Sequence, residues 1–224
     1  MFEDFEDSTI TYTTNDADDL SDISNRDYFG RIASDTATPP GDVSFSNAQG
    51  TGYFGVQDSD AANSGDIDVI ELTWSNIDTS NFENLNLSWF IAEDDATDGS
   101  EDWDSDTEFR IDVSVNGGGF STIFQVASEI GTDGNETNEA PRVDTNFDGI
   151  GDGTLITDSF QSFNVNLANA NTYDIRVTFT QLNAGDEDFA FDNLRFTGTA
   201  VPEPAACGFL LLGLGAVASR RRRS

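Results

Sequence analysis

Histidine and lysine are both absent from the 224 residues, and cysteine occurs once. Without histidine there is no Ser-His-Asp triad, no Cys-His dyad and no imidazole metal ligand. Without lysine there is no Schiff-base amine and no Walker-type phosphate loop. One cysteine cannot make an intramolecular disulfide framework. Cys207 falls in an apolar run at the C-terminus and reads as a small apolar residue of a membrane segment, or alternatively as a lipidation or processing site. Positive charge is equally scarce: all ten basic residues are Arg, against 42 acids. Residues 1–200 hold six Arg against 41 acids, a net of −35. Such a surface repels phosphate, so no nucleic-acid partner is expected. It attracts cations, and calcium is the hard cation that carboxylates favour.

What is present is aromatic and turn-rich. Eighteen Phe provide core material, so the chain reads as folded with an acidic, solvated surface. About 200 residues suit one all-β domain. We divide the sequence into an acidic β-sandwich domain, 1–200, and a tail, 201–224.

The tail has three parts in order: Pro202-Glu203-Pro204, an apolar run from Ala205 to Ser219, and the cluster Arg220, Arg221, Arg222 and Arg223. As a helix the run spans about 22 Å, short of a ~30 Å hydrocarbon core but able to insert with local thinning and Arg snorkelling. The Arg cluster is expected to stay cytoplasmic, leaving the acidic domain outside. This tail resembles the PEP-CTERM sorting signal of exopolysaccharide-producing bacteria. The resemblance implies that the tail is held in the inner membrane and recognised near Pro202, Glu203 and Pro204 by exosortase, a membrane protease of transpeptidase type, with Arg220–Arg223 as the stop signal. The protein would then pass to the cell envelope or extracellular matrix. Such proteins start with a signal peptide, and Met1-Phe2-Glu3-Asp4 is not one, so an upstream segment is expected.

Between residues 1 and 200 apolar and polar residues alternate with period two, for example Phe109, Ile111, Val113 and Val115, or Tyr173, Ile175, Val177 and Phe179. Leu85–Ile91 and Phe163–Leu167 repeat the pattern, and further strands are expected at Ser8–Thr13, Tyr28–Ile32, Gly52–Val56, Ile67–Trp74, Phe120–Val126 and Phe189–Phe196. Asn116-Gly117-Gly118-Gly119 reads as a hairpin turn. The expected fold is all-β, an antiparallel β-sandwich, with a short hydrophobic helix at the C-terminus. The acidic-aromatic start Phe2–Glu6, Leu85–Glu93, Asp102-Trp103-Asp104 and the closing strand Ala190-Phe191-Asp192-Asn193-Leu194-Arg195-Phe196 together resemble secreted bacterial jelly-roll domains. These include galactose-binding-like, carbohydrate-binding and concanavalin-like sandwiches. The resemblance implies adjacent terminal strands and a structural calcium near them, held by Asp192 with Glu3 or Glu6.

Asp144, Asn146, Asp148, Gly149, Ile150 and Asp152 match positions 1, 3, 5, 6, 7 and 9 of an EF-hand-type loop, Ile150 offering its carbonyl. The loop resembles those of dockerins and thrombospondin type 3 repeats. Leu155 stands where the bidentate Glu would be, so another ligand is required, and Glu136 or Glu139 are the nearby acids. The competing reading is an Asx-rich turn on an acidic surface. The acidic stretch from Glu93 to Asp106 is either a solvated face or a cation-ordered loop that presents Trp103 to a ligand. Two function classes follow. One is an exported non-catalytic envelope or matrix protein, calcium-stabilised and binding polysaccharide; the other is a secreted glycoside hydrolase working through a carboxylate pair. The concanavalin-like glycanase pattern Glu-x-Asp-x-Glu is missing, and Asp66-Ile67-Asp68-Val69-Ile70-Glu71 does not fit it.

Overall fold

The structure, a computed structural model, describes residues 1–6, 9–33, 43–59, 68–94, 103–129, 139–185 and 187–202. The expected sandwich is what forms: two antiparallel sheets whose alternating apolar residues face each other. One sheet contains β1 (Phe2–Glu3), β3 (Asp19–Asp22), β4 (Asp27–Ile32), β5 (Tyr53–Gln57), β7 (Phe82–Ala92), β11 (Gln161–Leu167) and β13 (Phe189–Ala200). Its order is β11-β7-β13-β5-β4-β3, with β1 added against β13. The other contains β2 (Thr13–Thr14), β6 (Val69–Asp78), β8 (Glu108–Val115), β9 (Phe120–Ser128), β10 (Pro141–Val143) and β12 (Thr172–Thr180), in the order β10-β9-β8-β12-β6-β2. The adjacency of the terminal strands is present too, with Phe2 opposite Arg195 and Glu3 opposite Leu194.

Burial drives the assembly. Trp89 meets Phe124 edge-on at 4.9 Å, and Phe109 lies 4.7 Å from Phe189 and 5.3 Å from Phe179, all between the sheets. Each such ring removed from water contributes about 1.5–3 kcal/mol. The hairpin between β8 and β9 turns at Asn116 (φ 51°) and Gly117 (φ 72°), with the Gly118 N–H donating to the Val115 carbonyl at 3.0 Å. Two consecutive positive φ values are the mirror-image turn that matches strand twist.

Some elements differ from the pattern-based expectation. The first strand stops at Glu3 because Phe5 turns to φ 54° and drops into the core. The second expected strand shrinks to Thr13–Thr14, and two short strands, β3 and β10, lack any alternating signal. In β13 the register slips between Asp192 and Arg195, with Asn193 at φ 52°. That extra residue changes which positions face inward, so Phe191 and then Leu194 and Phe196 all reach the core. The expected C-terminal helix lies outside the described residues. Among the described residues no helix is long and apolar enough to cross a membrane.

Candidate functional site

Three features from the sequence are placed on this scaffold. The first is the loop after β10. Asp144 is almost fully buried, and its carboxylate accepts from the Asn146 N–H at 3.1 Å, the Phe147 N–H at 2.7 Å and the Gly149 N–H at 2.7 Å. Asp148 accepts from the Ile150 N–H and from the Asn146 amide, each at 3.1 Å. Phe147 (φ 61°) and Gly149 (φ 87°) give the tight left-handed bends that this wrapping requires. Asp144, Asn146 and Asp148 are therefore drawn round one another as the sequence spacing implies. Asp152 is not part of that ring. It accepts from the Thr145 hydroxyl at 2.7 Å and the Thr145 N–H at 2.9 Å, which hold its carboxyl below the ordinary value. Glu136 lies outside the described residues, and Glu139 is buried at the β9–β10 end, where its carbonyl accepts from the Trp103 N–H at 3.2 Å. The donors are hard oxygens suited to calcium, but among the described residues no three carboxylates converge on a metal position.

The second feature is the junction of β1 and β13. Glu3 closes the N-terminal segment on itself, accepting from the Phe5 N–H at 3.2 Å and the Thr11 N–H at 3.4 Å. Glu6 clamps the segment before β5, accepting from the Thr51 and Gly52 N–H groups at 2.7 and 2.9 Å and from the Thr51 hydroxyl at 3.0 Å. Burial pushes the Glu6 carboxyl up, but these donors and Arg31 outweigh it and hold it below its ordinary value. Asp192 is fully buried and accepts from the Asn193 N–H at 2.6 Å and amide at 2.9 Å. Burial, reinforced by the charges of Glu6 and Asp4, pushes its carboxyl up to about 7. Asp192 therefore feels the charges of Glu6 and Asp4, whereas Glu3 is committed to its own turn.

The third feature is Trp103, and here the structure corrects the sequence. Trp103 does not stand out on an acidic loop as a platform for a ligand. It is 0% exposed and packs 5.6 Å from Phe189 in the core. An indole buries too much apolar area to stay in water when a cavity between two sheets admits it. Around it, at the same end of the sandwich, sit Glu187 and Asp188, from an acidic cluster that precedes Asp192 in the sequence, and Asp94, from the acidic stretch that begins at Glu93. Glu187 is fully buried. Its oxygens accept from the Thr107 hydroxyl and from the N–H groups of Asp104, Asn183 and Ala184, which ties the loop before β13 to the loop before β8. Burial still pushes its carboxyl up to about 7. Asp188 accepts from the Asp94 N–H at 3.0 Å, and Asp94 from the Ser44 N–H at 2.8 Å. These contacts staple the loops at this end together.

One further surface was missed by the sequence reading. On the outer face of the six-stranded sheet, Arg110 bridges Glu108 at 2.7 Å and Asp112 at 3.1 Å, and Arg176 bridges Asp112 at 2.8 Å and Glu71 at 3.1 Å. The Arg176 guanidinium lies 4.4 Å from the Phe120 ring centre. Gln125 and Thr122 complete the grid through bonds to Glu108 and Asp112.

β13 runs through this scaffold to Ala200 and delivers the chain directly to the tail. The chain carries a PEP-CTERM protein-sorting motif over residues 200–223. This motif marks the protein for export through exosortase. Pro202 is exposed at its start, while Glu203, Pro204 and Arg220–Arg223 lie outside the described residues. No curated protein matches the chain in sequence. Among solved structures, the K1 cleaved adhesin domain of Lys-gingipain from Porphyromonas gingivalis W83 is 14% identical, with 89% of this chain and 98% of that chain covered at a TM-score of 0.42. TmCBM61, solved in complex with β-1,4-galactotriose, is 10% identical over 84% of this chain and 88% of that chain, at a TM-score of 0.42. A Stig cyclase from Fischerella sp. TAU is 12% identical over 90% of each chain, at a TM-score of 0.43.

Proposed function

We propose that this chain is an exported, non-catalytic module of the cell envelope or extracellular matrix, stabilised by calcium, binding polysaccharide, and anchored in the inner membrane through its tail until exosortase acts. The observation that carries the reading is the PEP-CTERM motif, which follows without a spacer on the last strand of the sandwich. Calcium is supported by the wrapped loop at Asp144, Asn146 and Asp148, where the Ile150 carbonyl is the next hard donor and Asp152 can join only by releasing Thr145. A second position at Asp192 and Glu6 is supported by the charge of Glu6 acting on the buried Asp192 carboxyl, on a chain of net charge −32.

The non-catalytic part is supported by the use made of the buried acids. Glu187 has the raised pKa that a general acid wants, yet its oxygens already accept from four loop donors. With Trp103 in the core, the ligand face is the outer face of the six-stranded sheet. Fixed Arg–carboxylate pairs offer donors and acceptors in register there, and the Phe120 ring lies beside them. Sugars present the same mixture of hydroxyl donors and acceptors on an apolar ring.

The test of the address is a fusion of residues 200–224 behind an exported reporter. Processing and release should occur with exosortase and stop without it; unchanged processing in its absence would falsify the sorting reading. The test of the ligand is a polysaccharide array with and without calcium, scored for retention and for release of reducing ends. Retention lost in Arg176→Ala supports the proposed face, and released sugar would make the protein a hydrolase instead.

A further inference from the structure

We propose that the end of the sandwich from which the tail emerges is itself a docking surface for exosortase, in addition to the Pro-Glu-Pro triplet; this rests on the sorting reading above. The argument is one of reach. Ala200 is paired with Phe82 in the sheet, and the Val201 N–H donates to the Asn81 carbonyl at 2.8 Å. The chain is therefore held by the domain up to residue 201. Pro202, Glu203 and Pro204 come next, and three residues extend at most about 11 Å. A protease that closes round this triplet cannot avoid the β6–β7 turn.

What it meets there has a shape. A cavity of about 280 Å³ opens at this end, lined by Met1, Ile77, Asp78, Phe82, Leu85 and Phe196 among others. Gly198 keeps the floor open on the β13 side, since a Cβ there would come within 2.8 Å of the Leu85 Cδ2 atom. Phe82 lines the cavity while 43% exposed, and Val201, which follows the last strand at the same end, is 44% exposed. Concave apolar pockets with an aromatic rim are where protein partners insert anchor side chains.

The bilayer is the other neighbour within reach, and the chemistry disfavours it. Asp78 lines the cavity, and its carboxylate accepts from the Ser80 N–H at 3.0 Å and hydroxyl at 2.7 Å, which hold it below its ordinary value and so ionised. An acyl chain would have to displace water from that charge without replacing it. A protein can answer both features at once, with an apolar side chain for the cavity and a donor or basic group for Asp78.

The experiment uses the full precursor, exported in cells with and without exosortase, and follows processing by pulse-chase. Two variants are compared with wild type: Phe82→Ser, and a flexible Gly-Ser insertion between Val201 and Pro202 that lifts the motif off the domain. Both should slow exosortase-dependent processing, by about tenfold if Phe82 behaves as an anchor residue. The thermal midpoint of each purified domain identifies a variant that merely unfolds, and the insertion leaves the sandwich intact. Wild-type rates in both variants overturn the proposal. So does a Phe82→Ser domain that loses binding to phosphatidylethanolamine vesicles while being processed normally, because the end would then be a membrane contact. Processing of the wild-type precursor that persists without exosortase overturns the sorting reading instead, and is told apart by that control.

Discussion

Replacing Asp192 by Asn should remove a specific part of the pH dependence of stability. Asp192 is fully buried on β13, and its carboxyl rises from 3.8 to about 7 through burial and the nearby charges of Glu6 and Asp4. A raised carboxyl means that the folded protein binds a proton that the unfolded chain has already released. Between about pH 4 and pH 7 the folded state therefore holds more protons, and stability falls as pH rises. A shift of about three units at 1.36 kcal/mol each amounts to ~4 kcal/mol. Asn keeps the acceptor for the Asn193 N–H and the volume, but does not titrate. The assay is urea unfolding in chelator at constant ionic strength, from pH 4 to pH 8. Wild type should lose on the order of 4 kcal/mol more than Asp192→Asn across that range. Glu187, also raised to about 7, and surface repulsion act equally in both proteins and cancel in the difference. Calcium should flatten the wild-type curve if it occupies this position, since a cation favours the ionised form. Parallel curves for the two proteins in chelator would refute the raised carboxyl of Asp192, and with it the burial held to cause it.

Calcium should raise the melting temperature more than magnesium at matched ionic strength, and Asp148→Ala should abolish that excess while leaving the screening contribution; binding to the folded state alone adds about 2.7 kcal/mol at a hundredfold excess over Kd. If calcium and magnesium act alike, or Asp148→Ala changes nothing, the loop is only a turn. Trp103→Ala should cost about 3–5 kcal/mol in chemical denaturation, the penalty for emptying a core site, whereas a surface ligand platform would lose binding with stability nearly unchanged.

Features carried by contiguous residues were legible in the sequence. Period-two alternation located the long strands, because one face of each is buried and the other wet. Asn116-Gly117 specified the hairpin because both residues tolerate positive φ. The sorting motif could be read directly because its three parts act by their linear order. The wrapped turn at Asp144–Asp148 was legible for the same reason, each side chain bonding within five residues. Short pieces such as β3 and β10 were not, since two to four residues carry no period.

Which acids do what was settled only by the fold. Forty-two carboxylates look alike in a list. Glu6 becomes a clamp because Thr51 and Gly52 arrive beside it from 45 and 46 residues away, and Glu187 becomes a staple because Asp104 and Thr107 arrive from 83 and 80. Asp192 acquires its raised carboxyl from burial between strands and from the charges of Glu6 and Asp4, which follow the first strand and lie 186 and 188 residues earlier in the chain. The aromatic at the acidic loop went inward for a reason outside its own neighbourhood: the space between two sheets, closed by Phe189, was available to it. Desolvation and Coulomb forces depend on distance in space, and strands distant in sequence become neighbours only once both sheets have closed on each other.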